Sequence, residues 1–222
     1  MELIEKYFQR NDHLVYFLIL LIAIGIGFYR YRLLNRVSSI YLWLLAITPI
    51  VELLAAYFAR EYKNNLYIYD PFRLIEFWVI VWTYQIEIGV KKLYLFFAGL
   101  ILFYIFNGLF WQPFFQFSSS NTWMMSCLMN ICLFGIYQVA YFRNSSPNKI
   151  GEHPLFWIGC GWLIFSIASI LSFGFMMKST ENTFWHDVAK YSREYSNYLL
   201  YLSFIPAFLS PQKSLNDPAT GK

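Results

Sequence analysis

Charged side chains are scarce in this 222-residue chain, where Asp, Glu, Lys and Arg make up 14% of the residues. Soluble domains carry about 25% charged residues, so an ordinary soluble enzyme is excluded. The three cysteines include no C-x-x-C pair, which argues against a disulfide scaffold. No run of Lys and Arg resembles a nucleic-acid patch, so we expect no nucleic-acid partner.

Catalytic motifs are also missing. The sequence contains no H-E-x-x-H, no G-x-S-x-G and no glycine-rich phosphate loop. No set of acid, base and nucleophile requires an enzyme, and no residue pattern requires a metal or a cofactor. We therefore expect neither a metal nor a cofactor, and we favour a non-enzymatic role while enzymatic activity stays open.

Hydrophobic residues are abundant instead, at 58% of the chain, and 22% of the chain is aromatic. They form seven apolar runs, each long enough at about 1.5 Å per residue to cross most of a hydrocarbon layer of about 30 Å. Lipid cannot satisfy irregular backbone, so the runs predict helices. We predict an all-α, polytopic transmembrane bundle in a single domain, with spans at roughly 14–30, 38–59, 71–88, 93–111, 122–142, 155–177 and 195–210.

The third run is the least regular because it contains Arg73, Glu76 and Glu87, and charges are costly in lipid. Its start is well marked, since Asp70 suits an N-cap and Pro71 suits the first helical position. We predict a full span that begins at Pro71. A re-entrant segment is the alternative.

The layout and orientation follow from weaker signals. Trp43 in the second run and Trp157 in the sixth occupy matching positions, which suggests an arrangement of three, one and three spans. An amphipathic segment at 184–195 predicts a helix on the membrane surface, and 211–222 predicts a flexible C-terminal tail. Loops on the side opposite the N-terminus hold slightly more Lys and Arg, which favours an outside N-terminus and an inside C-terminus.

Polar side chains within the spans are informative because lipid makes them costly. The alternating span directions place most of them in the half of the bilayer nearest the N-terminus. Pairing of Arg73 with Glu52 or Glu76 would leave one carboxylate to be protonated or to bind a cation. The plainer alternative is a salt bridge that only locks two spans together. The candidate pocket residues are Glu52, Arg73, Glu76, Asn107, Asn130, Ser169 and Asn197.

Two segments, 64–77 and 153–159, resemble a group of uncharacterised seven-span bacterial membrane proteins. The resemblance centres on Ile75-Glu76-Phe77 and Pro154-Leu155-Phe156-Trp157. It implies a seven-span fold in a bacterial cytoplasmic membrane and a role in sensing. It also implies a cytoplasmic signalling partner, because no kinase is attached to this chain.

Three functions fit the polar residues. The first is a sensor or receptor that binds a small ligand of unknown identity in a pocket open to the N-terminal side. The second is a small solute transporter or proton-coupled carrier. A transporter needs polar groups in both halves of the bilayer, and the half away from the N-terminus has few, which argues against this function. The third is an intramembrane lipid-modifying enzyme in which Arg73 holds a headgroup phosphate.

Overall fold

The computed structural model describes residues 11–114, 120–144, 147–178 and 183–212. These residues form helices and no strand, which confirms the predicted all-α class. Short 3-10 turns precede α2, α4 and α6, at Tyr31–Leu33, Lys91–Leu93 and Pro147–Glu152. The helices are α1 (Asn11–Tyr29), α2 (Arg36–Glu61), α3 (Leu66–Ile88), α4 (Tyr94–Phe110), α5 (Ser120–Asn144), α6 (Pro154–Lys178) and α7 (Thr183–Leu209).

Four of these helices are long and apolar enough to cross a membrane, which makes the chain an integral membrane protein. They are α2, α4 with the 3-10 turn before it, α5 and α6. From Leu14 to Tyr29, α1 is apolar but shorter, while α3 and α7 carry more charge. Exposed apolar side chains suit lipid contact; Leu102 and Phe110, for example, are each 68% exposed.

Helices that are neighbours in sequence pack against each other, and α1 and α7 close the arrangement. The interior is rich in aromatic side chains that solvent does not reach, among them Tyr41, Tyr84, Tyr137, Phe204 and Phe208. Because the connections are short, the N-terminal ends of α1, α3, α5 and α7 lie on one side of the bundle. We call it the N-terminal side.

The third helix begins earlier than the sequence predicted. It starts at Leu66, where the backbone N–H donates to Asn64 Oδ1 at 2.9 Å, and Pro71 lies inside the helix. Pro71 removes only one backbone hydrogen bond, so the extra turn survives. Asp70 is therefore not an N-cap but a helical residue with 3% exposure. The added turn carries Tyr69, which matters for the site below.

The last helix is also longer than predicted. The segment at 184–195 and the run at 195–210 form one continuous helix, α7, instead of a surface helix followed by a span. In this stretch α7 packs closely on α6 through small residues. Ala189 of α7 is fully buried, and Ser172 Oγ of α6 donates a hydrogen bond to the Ala189 carbonyl oxygen at 3.0 Å. The face that packs on α6 is the one with Ala189, whereas the large apolar side chains of this segment stay exposed, with Phe184 at 60% and Tyr195 at 61%.

The C-terminal end of α7 is held by the connection between α1 and α2. Arg30 Nη1 donates to the carbonyl oxygen of Phe208 at 3.0 Å, which satisfies one of the free carbonyls of the last turn. Asn35 Nδ2 donates to the Gln212 carbonyl oxygen at 3.3 Å. Gln212, in the predicted tail, is thus bound to the bundle, whereas 213–222 lie outside the described residues.

Candidate functional site

Glu52 lies at the centre of a group of tyrosine hydroxyls. Tyr69 donates to Glu52 Oε2 at 2.7 Å, and Tyr16 lies 3.3 Å from Glu52 Oε1. The hydroxyls of Tyr16 and Tyr201 are 3.4 Å apart. We call these four residues the Glu52 cluster. The hydrogen bonds of Tyr16 and Tyr69 to the Glu52 carboxylate are charge-assisted, and such bonds are stronger than those between neutral groups.

Four helices contribute to the Glu52 cluster, one residue each from α1, α2, α3 and α7. Tyr16 and Tyr201 are 6% and 8% exposed, and their rings meet edge to face with centroids 5.2 Å apart. Glu52 lies about one turn after Pro49, which is inside α2, and about 14 Å along the helix from its end at Glu61. The cluster therefore connects helices well inside the bundle.

Glu76 lies beside this cluster without joining its hydrogen bonds. It is close enough to Arg73 and Glu52 for electrostatic interaction, and Tyr201 is also near. Across the described ranges, its half-buried carboxylate accepts no hydrogen bond and no ion pair. The two carboxylates thus lie close enough to repel each other.

Arg73 pairs with a different carboxylate from the two that the sequence suggested. Its Nη1 lies 3.5 Å from Asp70 Oδ1, and its Cζ lies 3.9 Å from the ring centroid of Trp123. Asp70 becomes available because the extra turn of α3 places it one helical turn before Arg73. Arg193 stacks on the same ring at 5.2 Å. We call Asp70, Arg73, Trp123 and Arg193 the Trp123 cluster.

A cavity of about 20 Å³ adjoins Arg73, enough for one water molecule. Glu52 and Glu76 do not line this cavity. The three charged residues of the predicted pocket therefore lie in two different places, with Arg73 at the cavity and the two glutamates away from it. Two buried polar atoms of the cavity's lining residues, Arg73 Nε and Thr122 Oγ1, have no hydrogen-bond partner among the residues that the structure describes. The cavity is lined by Asp70, Arg73, Leu74, Leu100, Tyr104, Thr122, Trp123 and Ser126.

Asn107 joins α4 to α5 and does not reach either cluster through a hydrogen bond. Its Nδ2 donates to Gln112 Oε1 at 3.1 Å, and its Oδ1 accepts from Asn121 Nδ2 at 2.9 Å. Gln112 in turn donates to Ser120 Oγ at 2.8 Å. This partly buried network links the C-terminal end of α4 to the start of α5.

The other three predicted pocket residues are dispersed. Asn130 is 6% exposed, and its Oδ1 has no hydrogen-bond partner among the described residues. Ser169 is 1% exposed and lies beside the Cys127 thiol. Asn197 is half-buried on α7, where its side chain makes no hydrogen bond within the described part. None of the three hydrogen-bonds to Glu52.

A second buried polar group occupies the opposite half of the bundle. Glu87 Oε1 and His153 Nδ1 are 3.8 Å apart, and both side chains are 2% exposed. The His153 ring meets the Tyr141 ring edge to face at 5.0 Å. Between the two halves, the hydroxyls of Tyr41 and Thr83 are hydrogen-bonded at 2.9 Å. The interior of the half away from the N-terminal side therefore holds more polar groups than we expected from the sequence.

Sequence reasoning missed the tyrosines of the Glu52 cluster and two members of the Trp123 cluster, Trp123 and Arg193. Among 18 tyrosines and 8 tryptophans, no single aromatic residue stands out. One signal was available for Tyr69, which falls on the same helical stripe as Arg73 and Glu76. Tyr16 and Tyr201 have no comparable signal, because their partners come from distant parts of the chain.

Comparisons with protein-family models, with curated proteins and with solved structures found no match. The resemblance of 64–77 and 153–159 to seven-span bacterial proteins therefore stays a prediction.

Proposed function

We propose that this chain is a seven-span receptor or sensor in a bacterial cytoplasmic membrane, with its N-terminal side outside. The Glu52 cluster and Glu76 form the ligand site in this proposal, and the ligand is a small cation that carries an ammonium group. The response reaches the other side of the membrane, where a signalling partner receives it.

One observation supports the proposal: Glu52 and Glu76 are neighbouring carboxylates, and neither forms an ion pair with a basic side chain among the described residues. In the part of the chain that the structure describes, no Lys or Arg nitrogen lies within 4.0 Å of either carboxylate. Arg73, the nearest candidate, is paired with Asp70. Carboxylates and aromatic rings are the groups that recognise organic ammonium ions. Tyr16 and Tyr69 lie at Glu52 through their hydroxyls, and Tyr201 lies next to Tyr16.

The same helices connect the site to the opposite side. Tyr16 of α1, Glu52 of α2 and Tyr201 of α7 meet at the site. The far ends of these helices meet again where Arg30 and Asn35 hold the end of α7. A cation that binds Glu52 competes with the tyrosine hydroxyls, and Pro49 and Pro206 supply points where α2 and α7 can bend. Binding thereby shifts the balance between two packings of α7.

The test is the thermal stability of the purified protein in detergent with added methylammonium or tetramethylammonium chloride, against equal sodium chloride. A ligand at 100 times its Kd stabilises the folded state by about 2.7 kcal/mol, so we expect a higher Tm with an ammonium salt. Glu52→Gln removes the charge and should abolish the shift. Glu61→Gln, an exposed carboxylate in the same helix, should retain it. An unchanged Tm with both salts, or a shift that survives Glu52→Gln, would overturn the proposal.

A proton-coupled carrier is the second candidate, and the buried group in the opposite half favours it. Glu76 and Glu87 lie three turns apart on nearly one face of α3, with the hydroxyls of Tyr41 and Thr83 between them. Proteoliposomes separate the two functions. A receptor gives no ammonium uptake under a pH gradient, whereas a carrier gives uptake that Glu87→Gln stops.

A further inference from the structure

Two arginines from different helices stack on one tryptophan at the N-terminal side. The Cζ of Arg73 lies 3.9 Å from the Trp123 ring centroid, and the Cζ of Arg193 lies 5.2 Å from it. Their positive charges repel each other, and Asp70 forms an ion pair with Arg73. A further anion close to both guanidinium groups would reduce this repulsion.

A third basic side chain, Lys190, lies on α7, where Asp187 and Glu194 offset the formal charges of Lys190 and Arg193. Lys190 lies one turn before Arg193, with its Nζ 5.3 Å from the centroid of the Tyr191 ring. Within the described segments, neither Lys190 nor Arg193 has a carboxylate oxygen within 4.0 Å, although Glu194 is adjacent in sequence. Two basic side chains on an amphipathic helix are thus available to a negatively charged partner.

Unused hydrogen-bond donors face the same region. Arg73 Nε and Trp123 Nε1 are buried and have no acceptor among the described residues. The adjoining cavity of about 20 Å³ admits one oxygen atom or one water molecule, not a whole tetrahedral anion. The bulk of such an anion would therefore lie on the outer side of the cluster, where Arg193 is exposed.

The position along the helices indicates the source of the anion. Trp123 lies about 5 Å along α5 from its start, and Arg73 about 10 Å along α3, which corresponds to the membrane interface. Tryptophan is enriched at this level, and basic residues there attract anionic lipids. A guanidinium group can donate two parallel hydrogen bonds to two oxygens of one phosphate.

The geometry points to a binding site for the phosphate of an anionic phospholipid at the Trp123 cluster, with Arg193 as its outer contact. Phosphatidylglycerol fits this chemistry because its headgroup adds no positive charge. Phosphatidylcholine carries a cationic choline that the neighbouring arginines disfavour. The site is separate from the Glu52 cluster and does not depend on the proposed receptor function.

Native mass spectrometry of the detergent-purified protein tests this inference by counting bound phosphatidylglycerol and phosphatidylcholine with matched acyl chains. We expect phosphatidylglycerol to bind more tightly. Arg193→Gln should weaken its binding about five-fold, the factor expected for one basic residue at an anionic surface. Arg60→Gln, an exposed arginine at the same side, should leave it unchanged. Arg193→Lys should recover part of the loss, because it restores charge without the planar pair of donors.

Three results would contradict the inference. Equal binding of the two lipids, or wild-type binding by Arg193→Gln, would mean that no headgroup site exists at Trp123. Displacement of phosphatidylglycerol by millimolar inorganic phosphate would identify a soluble phosphate as the ligand and overturn the assignment to a lipid.

Discussion

Gly161→Leu is expected to lower the free energy of unfolding by about 3 kcal/mol, because it forces α6 and α7 apart. A side chain at Gly161 would collide with Ser203 Oγ and would lie 3.2 Å from the backbone carbonyl oxygen of Leu200. The Leu200 carbonyl oxygen belongs to the backbone and cannot rotate away. Ser203 Oγ already donates a hydrogen bond to this oxygen at 2.6 Å. Reversible unfolding of the detergent-purified protein measures the loss.

Gly135→Leu is the matched control. Gly135 lies in α5 with open space around the position of its missing Cβ, and it is exposed. Leucine has the higher helix propensity and suits lipid, so this variant should be as stable as the wild type or more stable. If the two leucine variants lose equal stability, the close packing of α6 on α7 is wrong.

Glu87→Ala is expected to lower the free energy of unfolding by about 3 kcal/mol or more. The substitution leaves His153 Nδ1, which has no hydrogen-bond partner within the described residues, buried without its carboxylate neighbour. Breaking a buried pair by removing one member is costly because the remaining group stays desolvated. The same unfolding measurement gives the loss.

Glu61→Ala gives the comparison for that loss. Glu61 Oε1 and Arg60 Nε are 3.8 Å apart, the separation found between Glu87 and His153, but their side chains are 47% and 54% exposed. An exposed pair contributes at most about 1 kcal/mol. A loss for Glu87→Ala no greater than that for Glu61→Ala would contradict the buried position of the Glu87 pair.

The helices themselves were predictable from hydrophobicity, because each of the seven apolar runs lies on one helix. Helix ends were less predictable where tertiary contacts decide them. The start of α3 at Leu66 depends on the side chain of Asn64 and overrides the signal at Pro71. The continuity of α7 depends on packing against α6 through Ala189, which no local pattern in 184–195 records.

The charged residues of the site were predictable, but their partners were not. Polarity inside an apolar run identifies Glu52, Arg73 and Glu76, whatever the fold. The partners depend on how the helices face each other, so Glu52 bonds to Tyr16 and Tyr69, and Arg73 pairs with Asp70. A single sequence supplies no relative rotation of the helices.

A double-mutant cycle tests most directly whether Glu52 is held by tyrosine hydroxyls instead of by Arg73. The unfolding free energies of Glu52→Ala, Tyr69→Phe and the double variant give one coupling energy, and Glu52→Ala with Arg73→Gln gives the other. A hydrogen bond to a charged group contributes about 1.5–3 kcal/mol, so we expect a coupling of about 1.5 kcal/mol or more for Glu52 with Tyr69. For Glu52 with Arg73 we expect about 0.5 kcal/mol or less. A larger coupling to Arg73 than to Tyr69 would contradict the Glu52 cluster.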